Sequence, residues 1–251
     1  MKKTGFVALC ALLIAGCGQS EDAVGPVAQA ALPQAETVDV LAGLGPLELK
    51  AKAFKAAWGQ DGSYVFKPAK DGERMQQTYS SSALVSIGQD LYALISEGKG
   101  QDDKHVGGSL GIHYLKRTPA GFEKVGSWPA FHTGGQWGAT PEWTLRADLM
   151  PWISIQATDG YGMMNGSCQV AYIIELTDEK PVLRMDRVMT YHHEMSYVDG
   201  EDLETRWEGY LVADKPGRTV KMRMTDTDEV REYRKQGDKY VDPNAGDRFN
   251  C

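Results

Sequence analysis

The chain of 251 residues is 42% hydrophobic and 24% charged, with a formal net charge of −7. So acidic a protein repels phosphate backbones, and its densest basic pair, Lys221 with Arg223, alternates with methionines as strand positions do. Nucleic acid is therefore excluded as a partner.

The chain opens MKKTGFVALCALLIAGC, with Lys2 and Lys3 ahead of an apolar stretch from Phe6 to Ala15. That stretch is shorter than the roughly 18 residues a spanning helix needs, so it is expected to act as an export signal and not as a permanent anchor. The site Ile14-Ala15-Gly16-Cys17 resembles the lipobox of bacterial lipoproteins. The resemblance implies that a signal peptide, residues 1–16, is removed and that the Cys17 thiol carries diacylglycerol beside an N-acyl (palmitate) group. Together these anchor at roughly 0.8 kcal/mol per buried methylene and form the whole membrane attachment. Gly18 stands where aspartate signals inner-membrane retention, so the same resemblance implies an outer-membrane lipoprotein facing the periplasm. Loss of Lys2 and Lys3 with the signal moves the formal charge from −7 to −9.

Of the four cysteines, Cys10 leaves with the signal and Cys17 is lipidated, which leaves Cys168 and Cys251 in a compartment that oxidises thiols. Their disulfide would tie the chain end to a central strand, closing a loop of about 80 residues and contributing about 4 kcal/mol in the chain-entropy model. The alternative is two unpaired thiols too far apart to bond.

Residues 17–46 are rich in Ala, Gly, Pro and small polar side chains and hold no aromatic group, so they are expected to be a flexible lipidated tether. About 28 such residues average roughly 30 Å end to end and reach at most about 90 Å. A single β-rich domain is expected from 47 to 251. It opens with a short helix within 47–58, where Leu49, Phe54 and Trp58 are spaced for one face.

Beyond Gly62, short β-prone runs are broken by Gly, Asp, Pro and Asn and come in pairs, as antiparallel strands with tight turns do. The turns fall at Gly88-Gln89-Asp90, Pro119-Ala120-Gly121 and Thr177 to Lys180. Three further pairs are EWTLRADLMPWISIQATDG, WEGYLVADKPGRTVKMRMT and VREYRKQGDKYV. LYALISEGKG, WISIQATDGYG and TVKMRMTDTDE each close an alternating strand in an acidic or Gly turn, which marks a repeat of roughly 60 residues. The fold is expected to be mainly β: an antiparallel meander of about three four-stranded repeats, half-propeller-like or sandwich-like, with a single β-sandwich as the alternative.

Gly107-Gly108-Ser109-Leu110-Gly111 matches the G-x-S-x-G nucleophile elbow, but a charged loop precedes it and a β-run follows, where the elbow needs strand then helix. Ser109 is expected at a strand entry. Tyr191-His192-His193-Glu194, followed by Asp199, Glu201, Asp202 and Glu204, is dense in potential metal ligands. Neighbours on a strand face opposite ways, and neither H-E-x-x-H nor a calcium-loop order is present, so a solvated loop is expected, with no metal or cofactor.

The segment 126–143, GSWPAFHTGGQWGATPEW, is expected to be a long Gly- and Pro-broken connection in which Phe131, His132 and Trp137 offer a stacking surface for a sugar ring, a peptide or a partner protein. The alternative packs Trp128 and Trp143 into the core while Trp137 closes the loop. No catalytic set emerges, so the expected function is a non-enzymatic binding or scaffold module for an envelope-protein or cell-wall partner. An envelope hydrolase using dispersed residues, such as His132 or His113 with carboxylates, is the second possibility.

Overall fold

The computed structural model describes residues 39–67, 76–101, 107–163, 165–198 and 201–243. Cys17, Asp199 and Cys251 lie outside the described residues, as do the export signal and most of the tether.

The chain is packed earlier than residue 47. Leu41 is buried, and Asp39 pairs with Arg117 at 2.9 Å. The helix α1 (Pro46–Trp58) then starts as its sequence requires: Pro46 sits where no N–H is needed, and Glu48 accepts the Gly45 N–H at 3.0 Å. It stops at Gly59, whose φ of 81° is one that L-residues rarely adopt. Of the residues singled out by spacing, Phe54 is buried, while Ala53 and Ala57 complete the face.

Among the described residues thirteen antiparallel strands follow: β1 (Ser63–Phe66), β2 (Gln77–Gly88), β3 (Leu91–Lys99), β4 (Gly108–Thr118), β5 (Gly121–Gly134), β6 (Glu142–Arg146), β7 (Ser154–Met163), β8 (Gly166–Leu176), β9 (Pro181–Val198), β10 (Glu201–Lys215), β11 (Thr219–Met224), β12 (Val230–Gln236) and β13 (Lys239–Val241). Each pairs with its neighbour in sequence except β5 with β6, where the chain passes from one sheet to the other, so the fold is mainly β and each sheet is a meander. The three expected units are β2–β5, β6–β9 and β10–β13. They form two sheets, not three, because β9 and β10 pair from Glu201↔Val198 to Glu208↔Tyr191 and fuse the last two units into eight strands. The first unit gains β1 and has five.

The expected solvated loop from Tyr191 to Glu204 is this β9–β10 hairpin. Its polar side chains disguised strand residues that are exposed at the end of the sheet. The expected Gly- and Pro-broken loop at 126–143 is likewise strand up to Gly134, and only 135–141 is connection.

Three apolar clusters fix the layers. One lies between the sheets, where Ile95, Leu110 and Ile112 meet Ile155, Val170, Tyr172 and Ile174. A second lies on the opposite face of β8 and β9, where the larger sheet curls back and brings Leu211, Val220, Met222 and Tyr233 onto Ala171, Ile173 and Met185, with Leu149 and Met150. A third holds α1 on the outside of the smaller sheet through Phe54 and Ala57 against Leu94 and Leu115. β8 is covered on both faces, which explains its nearly unbroken apolar run QVAYIIEL.

Phe54→Ala should cost about 3–5 kcal/mol in chemical denaturation, because the cavity left between α1 and the sheet has no side chain free to fill it. A loss below about 1 kcal/mol would show that the helix does not form part of the core.

Candidate functional site

The two sheets are joined covalently by the connection from β5 to β6, and its path follows from local chemistry. Gly135, Trp137 and Gly138 take φ of 76°, 55° and 72°, turning the chain sharply. A side chain at Gly138 would meet the Gln101 carbonyl at 2.4 Å, so glycine is required there. The Gly138 carbonyl accepts the Gly100 N–H and the Ala139 carbonyl accepts the Gly108 N–H, at 2.8 and 2.7 Å. The connection is thus drawn towards the ends of β3 and β4.

Beneath it lies Asp159 of β7, only 1% exposed. A buried carboxylate must be compensated, and here two donors do so: the Gly135 N–H to Oδ1 at 2.9 Å and His132 Nε2 to Oδ2 at 3.2 Å. The His132 ring also lies 4.3 Å from that of Tyr172, whose hydroxyl meets the Tyr161 hydroxyl at 3.4 Å. Burial first, and the Tyr161 hydroxyl second, push the Tyr172 phenol above its ordinary value. A Cβ at Gly134 would fall 2.1 Å from Asp159 Oδ1, so glycine there admits the carboxylate.

Beside this pin opens a cleft of about 350 Å³. One wall is the connection, through Gln136, Thr140 and Glu142; the other is β7 to β9, through Thr158, Gly160, Gly162, Gln169 and Tyr191. Tyr161 and Cys168 also line it. The lining is rich in hydroxyl and amide groups, and Arg187 and Arg206 lie over the Tyr161 and Tyr191 rings at 5.8 and 5.9 Å. Such a surface can bind a polar ligand by hydrogen bonds and stacking.

The residues expected to form one aromatic surface are not brought together. Phe131 packs against the core between the sheets, the His132 side chain is 10% exposed and bound to Asp159, and only Trp137, at 58%, faces solvent. The physical reason is that β5 runs through Phe131 and His132, so alternation and the facing sheet dispose of their rings. Trp128 and Trp143 pack partly buried against the same core.

Ser109 is fully buried in β4, hydrogen-bonded to Tyr79 and Gln77. His192 meets Glu194 at 3.4 Å and His193 meets Glu204 at 3.2 Å, two separate pairs. Among the described residues no three ligating side chains gather at one point. Cys168 is buried in β8 at 1% exposure, and Cys251 lies outside the described residues. Lys221 of the basic pair is held by Asp214 at 2.8 Å.

Sequence reasoning missed Asp159, Gly160, Gly162 and Gln169, and placed Tyr191 in a group of potential metal ligands. TDGYGM looks like a turn because Asp and Gly are strand breakers, yet β7 runs through it. No family model, curated protein or solved structure matches the chain.

His113 is remote from the cleft, 1% exposed, with the Trp58 ring 4.4 Å away and no hydrogen-bond partner for Nδ1 among the described residues. Burial, then the Lys124 charge, lowers its pKa from 6.5 to about 4. The unfolded chain therefore takes up a proton first as acid is added. Stability is full above pH 6.5 and falls as pH drops towards 4, by on the order of 3 kcal/mol. Denaturation profiles of the wild type and His113→Gln should diverge in that window, the variant being flatter; parallel profiles would contradict a neutral buried His113.

Proposed function

We propose that this protein is a lipid-tethered envelope module that binds a partner in the cleft between the β5–β6 connection and β7–β9. The observation that carries the reading is the cleft itself: open, lined by polar groups, beside an exposed tryptophan, and held in shape by a buried carboxylate. Asp159, compensated by its two donors, fixes the connection in place, as a preorganised binding surface requires.

The export signal and the lipobox resemblance support attachment through Cys17 at the outer membrane, facing the periplasm. A tether of up to about 20 residues before Asp39 gives the domain a reach of up to about 70 Å from that membrane. The same reading joins Cys168 to Cys251 in a disulfide, the two cysteines left once Cys10 is cleaved off and Cys17 lipidated.

One observation favours a second reading, an envelope hydrolase: His132 sits on Asp159 as a general base sits on its orienting carboxylate. Against it, the His132 side chain is nine-tenths buried, and Ser109, on the neighbouring strand β4, is fully buried and hydrogen-bonded to Tyr79 and Gln77. Turnover of esters or cell-wall fragments that vanishes in His132→Ala would favour the hydrolase.

Gly160 lines the cleft with nothing within 4 Å of its Cβ position, so Gly160→Trp should fill the cleft without disturbing the fold. Immobilised wild type should retain a discrete species from detergent-solubilised envelopes that the variant loses, with its thermal midpoint nearly unchanged. Equal retention by both would reject the cleft as the binding site.

A further inference from the structure

We infer that the cleft captures an extended polypeptide segment, which adds as a strand to the bare backbone edge of β7 at Gly160 and Gly162. The inference rests on the cleft being the binding site, and it names the ligand's chemistry.

β7 pairs with β8 along its whole length, from Ser154↔Glu175 to Met163↔Gly166, without a register shift. The next pair out, Ile153 with Leu176, is joined by a Leu176 N–H to Ile153 carbonyl bond of 2.9 Å. In an antiparallel ladder the bonded pairs alternate, so odd-numbered residues of β7 turn their peptide groups to β8 and even-numbered ones turn theirs to the other side. On that side β6 covers Ser154, Gln156 and Thr158 and then ends, at Glu142↔Thr158. Pro141, which has no N–H to give, precedes it, and the chain beyond is bound to Gly100 and Gly108 instead.

Gly160 and Gly162 are therefore the two even positions that β6 leaves bare, and among the described residues no strand lies along them. A second observation agrees. The Gly160 carbonyl points into the cleft, where the Gln136 side-chain amide donates to it at 2.8 Å, a side chain standing where a strand N–H would stand. Both glycines are exposed and have open space where a Cβ would be, so an incoming backbone can approach to ladder distance.

These features distinguish a peptide from a sugar. A glycan's hydroxyls can bond such peptide groups only one at a time, whereas a polypeptide strand matches donor to acceptor at both with ladder spacing. Its side chains opposite the glycines would lie on the face shared by Gln169 and Tyr191, the residues in register with Gly160 across β8 and β9.

The test is a selection of phage-displayed random dodecapeptides on the full-length protein in detergent micelles, followed by resynthesis of the best binder with single N-methyl groups along its backbone. The expected result is a period of two: about tenfold weaker binding at alternate positions and little change between them, with the Gly160 and Gly162 amides exchanging freely in the protein alone and protected in the complex. A flat N-methyl scan of a peptide that Gly160→Trp displaces would overturn strand addition while leaving the cleft as the site. Peptides that bind Gly160→Trp equally would overturn the site as well. Strand addition also falls if no peptide is selected, if both amides are already protected in the protein alone, or if tetra-N-acetylchitotetraose binds in the cleft in place of any peptide.

Discussion

Asp159 holds together the part of this molecule that surrounds the cleft. Its carboxylate is out of reach of water at the junction of the two sheets, and a lone charge there would cost several kcal/mol. The backbone N–H of Gly135 and the imidazole of His132 both belong to the chain leaving the smaller sheet, so compensating the charge fixes the point at which that chain crosses to the larger one. Gly134 gives the carboxylate room, and the positive φ angles that follow send the connection over β3 and β4. The cleft is the space this detour leaves beside β7.

The rest of the fold supplies rigidity for that arrangement. β8 and β9 form the middle layer, with one apolar cluster against the smaller sheet and another against the strands that curl back from β10 to β13. The Glu175–Arg184 pair at 2.6 Å, itself tied to Asp238 in the β12–β13 turn, closes the curled sheet onto β9. A wall anchored on both faces does not yield when a ligand presses on it, which lowers the ordering cost of binding.

Much of this was legible in the sequence, and the failures are instructive. Hairpin turns at Gly88 to Asp90 and Thr177 to Lys180, the meander and the three four-stranded units follow from alternation and turn chemistry. That two units share a sheet does not, because β9 ends in YHHEMSYV and β10 begins with EDLETRWE, whose polar residues carry no buried face to betray a ladder. The aromatic segment, read as one connection, is divided by the structure: Trp137 is exposed, but Phe131 and His132 alternate on a strand. Asp159 was hidden in a string of turn-forming residues. Only the facing sheet makes its carboxylate structural, and a contact across 24 residues leaves no local period.

The proposed meeting of the tethered domain with its partner is at this cleft and not elsewhere on its surface. The most direct measurement places a photo-crosslinking amino acid, in living cells, at Thr158 or Gln169 in the cleft and at Val125 or Leu47, which are exposed outside it. The account predicts one discrete adduct from the two cleft positions and none from the other two. Adducts of the same mass from Val125 or Leu47, or none from Thr158 and Gln169, would contradict it.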